Sequence, residues 1–193
     1  MSNLVHFFIV IPLIGLLMQL FWNAQQERAI SRTAIITVFI QFAGLILFTG
    51  SWMMSGQDSF DQADFVLYAN EDYSFLVDFY FDKITATYAL VGAFLILLVT
   101  QYSSVYMHRE EGYKRFFSNL QFFFLGFNIT IFAGNFETLF IGWEILGISS
   151  FLLIAYYRNR YLPVKNAVKV FSVYRIGDVG ILLAMWLSHH FWH

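Results

Sequence analysis

The sequence predicts an all-α membrane protein of about six transmembrane helices, with a short β-hairpin loop on the outer face. Three observations carry that prediction. Apolar residues make up 59% of the 193 positions and charged residues only 12%, against about 25% charged in an ordinary soluble domain. Six apolar runs each approach the ~20 residues that a bilayer core demands. The basic residues fall almost wholly in alternate loops.

The six spans read at roughly 5–22, 34–54, 83–104, 115–133, 137–157 and 164–187, in a single transmembrane domain over 1–193. The first run has no basic residue ahead of it and no small-residue cleavage site after it, so it is read as a span and not as a signal peptide. Pro12 is tolerated there, because neighbouring helices can satisfy the freed carbonyl. Loop one carries Arg28 and Arg32, loop three Arg109, Lys114 and Arg115, and loop five Arg158, Arg160 and Lys165, which together hold 8 of the 11 basic residues. The positive-inside rule puts these loops in the cytoplasm and the N-terminus outside. The expected location is the energy-transducing inner membrane.

Loop two, residues 55–82, is acidic, with Asp58, Asp61, Asp64, Glu71, Asp72, Asp78 and Asp82. Phe65–Tyr68 and Ser74–Phe81 favour strands around the turn-prone Asn70-Glu71-Asp72, which gives a hairpin on the outer surface. Its charges are read as a solvated cap. Tyr and Trp near the span ends, such as Trp22, Trp52, Tyr102 and Tyr157, form an interfacial belt.

Composition also excludes chemistry. Without cysteine there is no disulfide, no cysteine-ligated iron–sulfur cluster and no covalently attached haem on this chain. None of the 12 glycines forms a GxG pair, so no dinucleotide or phosphate-binding loop is expected. No cofactor, redox centre or hydrolytic centre is therefore expected here, and no basic patch suits nucleic acid. His189, His190 and His193 make an HHxxH at the C-terminal end. They are read as an exposed terminus and not as a metal site, because no acidic ligand is near in sequence.

The candidate chemistry lies in the last two spans. A charge at the centre of a membrane helix costs roughly 2.5–3.5 kcal/mol on insertion scales, so each needs a partner, water or a proton. Glu144 stands in the fifth span with no basic residue on its own helix before Arg158. Lys169, Arg175 and Asp178 stand in the sixth. A rise of ~1.5 Å per residue puts Glu144 ~10 Å and Asp178 ~9 Å below the outer face of a ~30 Å core, at matching depth. Arg175 and Asp178, three residues apart, can pair on one face. Asp178 is nine residues beyond Lys169, which must find its partner elsewhere. A carboxylate whose ammonium partner approaches and retreats loads and unloads a proton. Asn128, Ser149, Ser150 and Ser172 could border a water path, although small hydroxyls also simply pack helices.

These segments resemble a known family. The resemblance runs over roughly 78–187 and rests on QYSSVYM (101–107), YKRFF (113–117), FIGWEILGISSFLLI (140–154) and VKNAVKVFSVYRIGDVGILL (164–183). The family is the antiporter-like, proton-translocating membrane subunits. It includes chain L of NADH-quinone oxidoreductase, the large subunits of multi-subunit sodium/proton antiporters, and the membrane partner of two-component inorganic-carbon uptake systems. The resemblance implies the N-terminal part of an antiporter-like helical bundle, truncated or split after the sixth span. It implies proton movement through Glu144, Lys169 and Asp178, with Arg175 as a structural charge, and work with a lysine on a following helix. Ile145 and Leu146 depart from the Gly-Val usual after the GWE block, and Tyr174 from the usual Asn. The implied partners are other membrane subunits of a multi-subunit complex, or a soluble zinc-containing protein in the carbon-uptake branch. The implied ion is the proton, with sodium as the alternative. A non-conducting membrane anchor is the remaining reading.

Overall fold

The computed structural model describes residues 3–56, 59–69 and 74–191. Six helices and one hairpin follow in chain order: α1 (Asn3–Phe21), α2 (Glu27–Ser55), β1 (Phe60–Ala69), β2 (Ser74–Phe81), α3 (Lys83–Tyr106), α4 (Tyr113–Phe132), α5 (Phe136–Ile154) and α6 (Tyr161–Phe191). Among them α2, α3, α5 and α6 are long and apolar enough to cross a membrane, and α1 contributes the shorter apolar stretch Val5–Phe21. With large apolar side chains such as Leu47, Phe39, Leu95 and Ile176 exposed around the bundle, the chain is an integral membrane protein.

The helices run beyond the apolar segments. α2 begins at Glu27, well before the apolar run, because Glu27–Thr33 satisfies its backbone helically at the loop end. α3 starts where Asp82 accepts the Thr85 amide at 2.7 Å, and α5 where Asn135 accepts the Thr138 amide at 2.8 Å. Both are N-caps, in which a short polar side chain satisfies an amide that the first turn leaves open. α2 stops at Gly56, whose φ of 67° is the left-handed conformation that glycine adopts without strain. Pro12 lies inside an unbroken α1.

α4 runs through the middle, packed against α1, α2, α3 and α5. It is less apolar than its neighbours because its polar residues face protein. Gln121 donates to the Ala34 carbonyl at 3.2 Å. Asn128 donates to the Phe124 carbonyl at 2.7 Å and accepts from Gln41 at 2.9 Å, while Gln41 also donates to the Phe8 carbonyl at 2.9 Å. Phe117, Phe124 and Phe132 on the same helix are fully buried.

β1 and β2 pair antiparallel with bulges near Ala63 and Val66. β1 is longer than the Phe65–Tyr68 segment that sequence suggests. Phe81, at the end of β2, is driven into the bundle between Phe48 (ring centroids 4.9 Å apart) and Trp52 (5.2 Å). The turn expected at Asn70-Glu71-Asp72 lies outside the described residues, as do Asp58, His193 and the side chains of Asp61 and Asp64.

At the opposite end the basic loop residues cap helix C-termini. Lys114 donates to the Leu20 and Trp22 carbonyls at 3.0 and 2.6 Å. Arg115 donates to the Tyr156 carbonyl at 3.0 Å. Cations are favourable there because carbonyls point out of a helix C-terminus.

Candidate functional site

α5 and α6 form a seam lined by aromatic rings. Trp143 stacks on Tyr174 at 4.9 Å, and Phe151 packs on Phe171 at 5.1 Å. Gly147 admits Tyr174, since a Cβ there would lie 2.8 Å from the ring. This close approach brings the charges of the two helices together.

Arg175 is the hub. Its Nη1 donates to Glu144 Oε1 at 2.6 Å, to Glu144 Oε2 at 2.8 Å and to Asp178 Oδ2 at 3.2 Å. The other Asp178 oxygen, Oδ1, accepts from the Trp143 indole at 2.8 Å. All four carboxylate oxygens therefore accept hydrogen bonds, as ionised carboxylates do. With both acids ionised the cluster carries a formal charge of −1, and one added proton makes it neutral. Asp178 is buried, while the Arg175 side chain remains 45% exposed, with its Cζ 4.7 Å from the Phe171 ring centre.

Glu144 and Asp178, on adjacent helices, are close enough for one guanidinium to reach both. The Arg175–Asp178 pair is also present. Glu144, which has no basic partner on its own helix, takes Arg175 from the next. Lys169 does not join them. It is exposed on α6 and has no hydrogen-bond or ion-pair partner among the described residues. Ser149 and Ser172 do not converge on the cluster: Ser149 donates to the Leu146 carbonyl at 3.0 Å and Ser172 to the Val168 carbonyl at 2.9 Å, each within its own helix. Asn128 belongs to the buried α1–α2–α4 network.

A second polar contact on the same seam corrects the reading of the C-terminal histidines. His189 is not an unattached terminus. Its Nε2 lies 2.6 Å from Oε1 of Glu137, a carboxylate with only 5% of its side chain exposed. The acid comes from α5, which is why spacing along the sequence did not reveal it. No group of three or more metal-ligating side chains is found among the described residues.

Known proteins share these segments. Residues 68–117 match the family model of NADH-ubiquinone oxidoreductase (complex I) chain 5 N-terminus, and residues 133–192 that of the NADH:quinone oxidoreductase/Mrp antiporter transmembrane region. NADH-quinone oxidoreductase subunit L of Escherichia coli is 29% identical over 97% of this chain and 31% of its own length. The subunit of the same name from Neisseria meningitidis (strain Z2491) is 31% identical over 92% of this chain and 27% of its own length. A chain in the structure of the membrane-bound sulfane sulfur reductase, an archaeal respiratory membrane complex, shares the fold with a TM-score of 0.68 at 18% identity, over 93% of this chain and 35% of that one. The chain thus spans about a third of the length of these relatives.

Proposed function

We propose, for a chain that belongs to the antiporter-like family of membrane subunits, that it carries protons across an energy-transducing membrane through the Glu144–Arg175–Asp178 cluster. The observation that carries this reading is the single guanidinium shared by two carboxylates inside apolar helices. Glu144 is the proton acceptor. Arg175 and Asp178 set the field in which it loads. A proton arriving on Glu144 loosens its hold on Arg175, which keeps Asp178 as its anchor, so binding and charge rearrangement are linked. Lys169, ~14 Å from Asp178 along α6 by helical rise, is the proton's exchange partner toward the basic loops.

The hairpin end faces outward and the basic loops face the cytoplasm, supported by the charge bias of the loops. The chain works beside other membrane subunits, supported by its likeness to subunit L of NADH-quinone oxidoreductase. The test is Glu144→Gln in the intact native complex, reconstituted in vesicles with a pH-sensitive dye inside. Flux is expected to fall at least about a hundredfold, the lower end of the scale of losing a positioned acid–base group, with assembly intact on a native gel. Unchanged flux would leave only the anchor reading. Metal and flavin content of the same preparation identifies the partner, with zinc and one soluble subunit marking the carbon-uptake branch.

A further inference from the structure

From the 2.6 Å contact between His189 and Glu137, we propose that this pair is the proton-exchange site between the hairpin-side solution and the Glu144 cluster. The inference rests on the conduction reading above. Its geometry is independent of that cluster. Glu137 and Glu144 are seven residues apart on α5, close to two helical turns, so they lie on one face ~10 Å apart. Asp178 and His189 are eleven residues apart on α6, close to three turns, so they also share a face. The seam therefore carries two titratable layers in line, one deep and one at its mouth.

The mouth pair has what an exchange site needs. The His189 side chain is 32% exposed and that of Glu137 only 5%. One partner is open at the surface of the chain and the other is shielded. Imidazole is the side chain that takes up and releases protons near neutral pH, with two nitrogens able to hold different protons. A proton arriving at Nδ1 gives the imidazolium. The Nε2 proton then passes to Glu137 Oε1, leaving a neutral imidazole and a carboxylic acid. When the helices part, water admitted to the seam carries that proton inward to the Glu144 carboxylate and Glu137 returns to its ionised form, so one proton enters and one leaves. Outward release is the reverse.

Between the layers the facing residues are apolar. Phe140 and Ile141 follow Glu137 on α5, and Ile181 and Met185 precede His189 on α6, all half-buried. Such a collar resists water until the helices part, which suits intermittent transfer. Among the described residues, other titratable groups at this end include His6 of α1, whose ring meets Phe79 at 5.8 Å. Asp78 of β2 donates its backbone N–H to Thr138 at 2.9 Å, and its carboxylate lies against Gly134. His190 stacks on Trp186 at 5.3 Å. Lys83 begins α3. α4 brings no titratable side chain to this end, since Tyr113, Lys114 and Arg115 lie at its other end.

The test compares His189→Ala, His189→Gln and Glu144→Gln in the same reconstituted complex. His189→Ala is expected to lower flux about a hundredfold, and millimolar imidazole is expected to restore most of it. His189→Gln keeps a hydrogen bond to Glu137 but cannot relay a proton, and is expected to lower flux equally with normal assembly. Imidazole is not expected to help Glu144→Gln. Full flux in His189→Gln, or a loss in His189→Ala that imidazole does not restore, overturns the exchange site. Full flux in Glu144→Gln overturns the conduction reading instead, so the two failures are told apart.

Discussion

Arg175 makes three close contacts from one nitrogen, so its loss costs more than one hydrogen bond. Arg175→Gln leaves Glu144 and Asp178 facing each other without the cation. Hydrogen bonds to charged groups contribute about 1.5–3 kcal/mol each. The variant is expected to lower the thermal unfolding midpoint of the detergent-purified complex and to abolish flux. Trp143→Phe separates two roles, since it removes the donor to Asp178 Oδ1 while keeping a ring to stack on Tyr174. It should cost about 1–3 kcal/mol, the penalty of an unsatisfied buried acceptor, read in the same melting curve. At this scale the sequence singled out the charged residues and the pairing of Arg175 with Asp178 on one helix, and was silent about contacts between helices. Glu144, Arg175 and Asp178 stand out because charge in an apolar run is expensive. That Arg175 reaches across to Glu144 depends on the rotation of α5 against α6, which Trp143, Tyr174 and Gly147 set together. Glu137 gave less signal still, lying at a span edge where charges are ordinary.

Elements meet here through small residues. A Cβ on Gly142 would lie 2.6 Å from the Thr130 backbone nitrogen, and one on Gly126 2.7 Å from the Ile145 side chain. α4 and α5 therefore pack almost backbone to backbone. Gly142→Ala cannot be absorbed by a side-chain shift and should destabilise by about 1–3 kcal/mol, as overpacking does, with a lower melting midpoint. Gly180→Ala is its control, since nothing lies within 4 Å of the added carbon. The helices themselves were legible from hydropathy, and each apolar run is matched by a helix. Their ends were less so. Glu27 begins a helix whose first turns are too polar to register as an apolar run, α6 begins at Tyr161, ahead of Pro163, a residue that a first helical turn tolerates, and β1 extends back to Phe60 through Asp61-Gln62, residues that do not favour strands.

On the scale of the whole molecule, the chain has no cysteine, so a single one can report on sidedness. Asn159→Cys, in the basic loop between α5 and α6, should react with an impermeant maleimide only in inside-out vesicles. Ser59→Cys, between α2 and the hairpin, should react only in right-side-out ones. The reverse pattern would invert the proposed orientation. α6 packs chiefly on α5 and leaves Val173, Ile176, Val179 and Trp186 exposed, beside Lys169. The hairpin has a different place in this architecture. β2 is tied to the start of α5 at three points: the Gly134 amide donates to the Asp78 carbonyl, the Asp78 amide to Thr138, and the Asn135 side chain to the Leu76 carbonyl. Any load applied to the hairpin is thereby transmitted to the rod that bears Glu144, two turns further along. A body seated on the hairpin would hold a lever on the α5–α6 charges without touching them.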